Sequence, residues 1–230
     1  MEAHPNEIKS MLTQAEVFLA AGNLEHAAKL YHKVMEQVPA NAEIHQMLGL
    51  IFLEQQDLDQ ALDQLELAVR LAPHHSGILK SLGDGHYAAG RFAAAAAAYQ
   101  QALAVDPRYT DAWVQLGIAW HARDDLDQAL TCFLNAVAID PGHKLALNNM
   151  GKVYMDMGRV TRALDCFRQC LQREPGYAEA RFNRAVALLI HGDFPEGWRE
   201  YEWRFKRKTA AQVYPHRLGS PRLSLMDAPL

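Results

Sequence analysis

Cysteine is scarce in this chain, charge of one sign is not in excess, and long apolar runs are missing. The three cysteines, Cys132, Cys166 and Cys170, are an odd number without paired spacings, which offers no disulfide framework and agrees with a reducing compartment. Cys166 and Cys170 share a helix face at i and i+4, but no histidine accompanies them at a ligand spacing; small apolar packing is the expected role, and no metal site or cofactor is predicted. The net charge of -4 gives no general attraction to nucleic acid or to an anionic membrane. No apolar stretch approaches the ~18 residues that suggest a membrane span. The opening MEAHPNEIKSMLTQ places acidic and polar groups where a secretory signal needs a basic start and an apolar run, so a cytoplasmic chain is expected. Catalytic patterns are missing as well: no nucleophile elbow, no phosphate-cradling glycine loop, no paired histidines of a helical zinc motif. Aspartate and glutamate are abundant, but they stand at i and i+4 from basic residues, an ordinary solvated arrangement. The eleven histidines are scattered, and His74-His75 falls where a loop or helix start is expected. The chain reads as a non-enzyme.

What is present is periodicity. The stretch Thr110 to His143 holds two amphipathic helical patterns joined by a polar turn at Arg123-Asp124-Asp125 and closed by Asp140-Pro141-Gly142. Trp113, Leu116, Gly117 and Trp120 fall on one side of its first helix; Leu126, Ala129, Leu130, Phe133, Ala136 and Val137 fall on one side of its second. Pro141 lacks an amide hydrogen and biases its predecessor away from helical geometry, so it ends the second helix. A lone hairpin cannot bury its apolar face and needs stacked copies. The copies are there: prolines stand at 39, 73, 107, 141 and 175, a period of 34 residues. In register run Ala27, Ala61, Ala95, Ala129 and Ala163, then Tyr31, Leu65, Tyr99, Phe133 and Phe167. The pairs Leu48-Gly49, Leu82-Gly83, Leu116-Gly117 and Met150-Gly151 keep the same spacing in the first helices.

This pattern resembles the tetratricopeptide repeat family. The resemblance implies an all-α solenoid of about six helix hairpins in a right-handed superhelix, over 8–41, 42–75, 76–109, 110–143, 144–177 and 178–208, as one elongated domain across 1–208. The first and last units diverge, with Gln14-Ala15 and Arg184-Ala185 in place of the leucine-glycine pair. The alanine run at 93–98 sits within a second helix, where alanine has the best propensity. Gly22-Asn23 and Asp57 are expected to end one helix and cap the next. Prolines at 215, 221 and 229 with Gly219 make 209–230 read as a basic tail or linker.

The sixth unit reads GDFPEGWREYEWRF from Gly192 to Phe205. Phe194, Gly197, Trp198, Tyr201 and Phe205 fall on one helical stripe that can pack on preceding helices, with Trp203 off it. These 14 residues resemble the closing repeat of bacterial tetratricopeptide proteins whose repeats lead into a glycosyltransferase domain. That resemblance implies a recognition arm without its enzyme, and Trp198, Trp203 and Phe205 as a surface docking a glycosyltransferase domain. Alternatively the tail folds back over Trp203 through Val213, Tyr214 or Leu218.

Binding is the function expected, because stacked first helices create a concave surface in such repeats. The family's groove positions map onto Lys80, Ser81 and Asp84, then Gln115 and His121, then Asn148, Asn149 and Lys152, and finally Phe182 and Asn183, with Leu12, Thr13, Gln46, Met47, Tyr87 and Val114 in the same series. A side-chain amide offers donor and acceptor together to an extended peptide, so a peptide or protein partner is expected, held mainly by Asn148, Asn149, Lys152 and Asn183. The carboxylate clamp of chaperone-binding relatives does not match, since only Lys80 sits suitably. A basic tail acting on nucleic acid is a third, less favoured reading, because cations at a helix end also suit the helix dipole.

Overall fold

In the computed structural model, residues 5–207 are described; the expected linker at 209–230 and its candidate capping residues lie outside them. Among the described residues there are twelve α-helices, one closing 3-10 helix and no strand. The chain divides after Pro107 into two compact units. The first holds α1 (Pro5–Ala20), α2 (Leu24–Gln37), α3 (Ala42–Glu54), α4 (Leu58–Leu71), α5 (Ser76–Ala88) and α6 (Phe92–Val105). The second holds α7 (Thr110–Ala122), α8 (Leu126–Ile139), α9 (Lys144–Asp156), α10 (Val160–Arg173), α11 (Ala178–His191), α12 (Phe194–Tyr201) and the 3-10 helix η1 (Glu202–Lys206).

Local chemistry sets the helix ends. The Asn23 side chain accepts from the His26 amide, Asp57 from that of Gln60 and Asp125 from that of Gln128, each satisfying an amide that a helix start leaves without a partner. One residue ahead of each such cap the backbone turns left-handed, at φ 74° for Gly22, 64° for Gln56 and 63° for Asp124. His75 and His143 cap α5 and α9 through their rings.

Within the four inner hairpins the glycine of the first helix lies under a large side chain of the second. A Cβ on Gly117 would stand 2.7 Å from Phe133 Cε1, so only a hydrogen fits there. Gly151 is related to Phe167 in the same way. Phe133 and Phe167 are fully enclosed, as are Ala129, Ala136 and Ala163, and burial of this kind contributes about 25 cal/mol per Å² of apolar surface. Successive hairpins then share cores: α9 packs on both α7 and α8, and α11 on both α9 and α10.

Three expectations are corrected here. Trp113 and Trp120 do not lie in the centre; they are partly buried at the margin of the second unit's core, while Ala112, Val114, Leu116 and Ala119 are enclosed. The sixth hairpin's second helix stops at Tyr201 and tightens into η1. Of its aromatic stripe only Gly197 is buried, whereas Phe194, Trp198 and Phe205 are exposed.

Candidate functional site

In the second unit the first helices α7, α9 and α11 lie side by side, and the residues expected to bind a peptide are distributed along them. Asn148 and Asn149 are almost wholly buried, at 4% and 8% exposure. Asn183 Nδ2 donates to Asn148 Oδ1 at 3.0 Å, joining α11 to α9. Asn149, one period before Asn183, makes a different bond: its Nδ2 donates back to the Leu145 carbonyl at 2.9 Å. The place that Asn148 occupies on α9 is held on α7 by Val114, which has no polar side-chain atom to receive such an amide. The first unit repeats the bridged form, with Gln46 Nε2 donating to Ser81 Oγ at 2.8 Å and Ser81 Oγ to the Gly77 carbonyl at 3.0 Å.

Around the asparagine pair several groups have unused bonding capacity. The Gln115 Oε1 atom is buried and accepts no hydrogen bond among the described residues. Lys152 makes no hydrogen bond or ion pair among the described residues. Burial disfavours its charge and pulls its pKa below the usual lysine value; Asp156 works against this, and the Arg207 guanidinium adds to it. Asp156 is itself held by His121, whose Nε2 donates to Oδ2 at 2.6 Å and ties α7 to α9. Phe182 is half-buried, with the Tyr201 ring 5.4 Å away and the Arg207 guanidinium 4.3 Å above its face. Arg207 was invisible as a site residue in the sequence, where it is one cation in a basic run; the turn of η1 brings it to Phe182 and Lys152.

Asp84 and Ser81, placed in the groove by register, face inward. Asp84 has no exposed surface, accepts from Lys80 Nζ at 2.7 Å and from the Tyr99 hydroxyl at 2.8 Å, and so serves the first unit's interior. Ser81 is 4% exposed. Lys80 lies over Asp84 with its side chain 20% exposed.

At the far edge of the second unit, the buried Glu200 carboxylate receives Arg181 at 3.0 Å and Arg184 at 2.8 Å, both on Oε1, and Arg184 also reaches Glu196. These bonds fix α12 to α11. Trp203 is half-covered: the Arg181 guanidinium lies 4.7 Å from its ring and the Lys206 ammonium 4.3 Å. Trp198 at 61% and Phe205 at 72% exposure are open. Cys132, Cys166 and Cys170 are buried, and desolvation pushes each thiol up to about 12, which leaves them as packing groups. No helix among the described residues is long and apolar enough to cross a membrane.

Comparison with known proteins places this geometry. A probable UDP-N-acetylglucosamine--peptide N-acetylglucosaminyltransferase, SPINDLY of Arabidopsis thaliana, is 33% identical over 101 residues, which are 44% of this chain and 11% of that protein. PilW, described as a widely conserved type IV pilus biogenesis factor, has a similar structure, with a TM-score of 0.78 and 17% identity over 94% of this chain and 97% of its own. YrrB, described as a TPR protein with an unusual peptide-binding site, gives a TM-score of 0.60 and 24% identity over 74% of this chain and 88% of its own. The chain spans only a small part of SPINDLY, and the two structural likenesses speak for the fold. A tetratricopeptide repeat family model matches residues 12–76, 81–144 and 148–201, and the enclosed glycines, alanines and aromatics of the hairpins are the residues that carry its period. The chain belongs to the tetratricopeptide repeat family.

Proposed function

We propose that this protein-interaction scaffold holds an extended peptide segment along α7, α9 and α11, with Asn148 and Asn183 as the central contacts. The observation that carries the reading is the inter-helix amide pair. Asn148 uses its carbonyl oxygen and Asn183 its amide nitrogen in the bond between them, which leaves Asn148 Nδ2 to donate and Asn183 Oδ1 to accept. An extended peptide presents carbonyl and amide groups in alternation and suits that pair. Lys152 supplies a cation that makes no hydrogen bond or ion pair among the described residues, with the Asp156 charge near it, and Gln115 Oε1 an acceptor without a donor among them. These groups bind; none of them forms an arrangement for catalysis.

Fluorescence anisotropy against an array of labelled unstructured peptides tests the reading. Peptides that bind the full chain should bind the Asn148→Ala/Asn183→Ala chain at least ~10-fold more weakly, a loss of about 1.4 kcal/mol. Asn135→Ala, on the exposed side of α8, should change nothing. Equal binding by the double variant removes the groove from consideration.

The SPINDLY match favours a second reading, in which the same groove presents peptides to a glycosyltransferase. With a purified peptide N-acetylglucosaminyltransferase, the chain should then accelerate transfer to groove-bound peptides, and the double asparagine variant should not. Transfer indifferent to the chain excludes this second reading while leaving peptide binding intact.

A further inference from the structure

Phe194, Trp198 and Phe205 are 58%, 61% and 72% exposed, and their places in the repeat explain what such a surface fits. One period earlier stand Val160, Leu164 and Leu171 on α10; two periods earlier, Leu126, Leu130 and Val137 on α8. Leu130 and Leu171 are buried members of the second unit's core, and the other four pack against it. The helices that complete that core beside α8 and α10 are α9 and α11. Each brings a small aliphatic pair at i and i+7, Ala146 with Val153 and Ala180 with Ala187, all four fully enclosed. On α12 and η1 the residues at these positions are larger, aromatic and exposed, with Tyr201 edge-on to Trp198 and the Arg204 guanidinium 3.9 Å over one face of Phe205.

We infer that the face formed by Phe194, Trp198 and Phe205 is a docking surface for an amphipathic helix of a partner protein, seated as α9 seats on α8 and presenting small aliphatic residues at i and i+7. At Phe194 and Trp198, before η1 breaks the helical register, the interface continues one that the second unit already forms twice, which sets the shape and the chemistry of the occupant. A second copy's α1 does not meet the requirement: at the two corresponding places it shows Ser10 and Val17, with Gln14 between them, all three exposed. Val17 alone is aliphatic there, and the polar Ser10 and Gln14 break the small aliphatic pair that such a seat needs. Exposed apolar surface of this kind marks association sites, and tryptophan is enriched where interface energy concentrates. Behind them the Arg181, Arg184 and Glu200 network holds α12 in place, so the surface is formed before any partner arrives.

The probe is a fluorescein-labelled peptide with the sequence of the α9–α10 hairpin, Lys144–Arg173, titrated into the full-length chain. Saturable binding is expected. Trp198→Glu should weaken it at least ~10-fold with the far-ultraviolet circular dichroism unchanged, because the ring is exposed. Val17→Glu and Asn148→Ala/Asn183→Ala should leave it unaltered, which separates this surface from the peptide groove. Absence of saturable binding overturns the inference, as does equal binding by the Trp198→Glu chain. Two further measurements can also overturn it. Concentration-dependent dimerisation in sedimentation, abolished by Trp198→Glu, would assign the face to a second copy. Binding by a chain ending at Arg207, with none by the full chain, would assign it to residues 208–230.

Discussion

Asp84 and Tyr99 show how one residue pair links burial to pH. Tyr99 is fully enclosed and donates to Asp84; desolvation first, then the Asp84 charge, raises its pKa well above the usual tyrosine value. Tyr31 is pushed up to about 12, mainly by burial and secondarily by Glu16. A tyrosine whose folded pKa is raised favours the fold while it stays protonated. Its contribution is therefore complete below the unfolded value near 10 and is lost as pH climbs from there toward the folded values. Urea midpoints should fall between pH 8 and pH 11, and fall less in Tyr99→Phe. At pH 8 that variant should itself lose about 1–3 kcal/mol, because the hydroxyl donor to a buried carboxylate is gone. Lys152 has the opposite sign. Its lowered pKa means that its charge opposes folding, so this contribution improves as pH rises toward the unfolded lysine value. Lys152→Met should raise the denaturation midpoint at pH 7 while weakening any anionic peptide, the trade expected of a residue kept for binding. Phe133→Ala should cost roughly 3–5 kcal/mol, and Trp113→Ala clearly less in the same denaturation series, because Trp113 keeps part of its surface in water. The register of Trp113 was legible in the sequence but its depth was not, since an indole at a helix margin has the same spacing as one in a core.

At the scale of the helix the sequence is most readable where a side chain acts on its own backbone. Asn23, Asp57 and Asp125 cap the helices they precede, and Asp125→Ala should cost about 1 kcal/mol of stability. The left-handed residue before each cap recurs at Gly22, Gln56, Gly90, Asp124, Gly158 and Gly192. Asp124 adopts it at φ 63° with a Cβ to accommodate, a conformation that costs an L-residue roughly 1–2 kcal/mol. Asp124→Gly should accordingly raise stability by about 0.5–1 kcal/mol, net of glycine's larger unfolded entropy, whereas Gly158→Ala should lower it; thermal melts of the two variants check both signs. Gly117→Ala should cost about 1–3 kcal/mol, because Phe133 has to move. The end of α12 could not be read in this way. The helical stripe from Phe194 to Phe205 is regular in sequence, but η1 breaks it after Tyr201, where Arg181 and Arg184 draw Glu200 inward and Arg204 and Arg207 stack on Tyr201 and Phe182.

On the scale of the whole chain, each unit has its own core. One cluster runs through α1 to α5 and another through α7 to α11, and in repeats of this family each hairpin draws its stability from its neighbours. Opening should therefore be local. In Phe133→Ala, amide exchange should accelerate across α7 to α10 while protection in α1 to α4 stays at its wild-type value; uniform loss of protection would mean that the chain unfolds as one body. The same locality limits what a groove substitution can do. Asn148 and Asn183 are bonded to each other across two helices, so replacing both should alter binding without disturbing the first unit.

The sequence by itself determined the fold class, the hairpin and its period, because those depend on proline, alanine, glycine and aromatic side chains whose effects reach only a turn or a neighbouring helix. It also offered Asn148, Asn183 and Lys152 as groove candidates, through the positions that the family resemblance implies. Tertiary structure alone decided which of the register-equivalent residues bond across helices. Asn149 turns back to the Leu145 carbonyl while Asn183 bonds to Asn148, Asp84 is drawn inward by Tyr99, and Trp203 is half-covered by Arg181 and Lys206. Each contact between helices depends on a partner outside the residue's own helix, on the identity of one atom at about 3–5 Å, and periodicity carries no information about that.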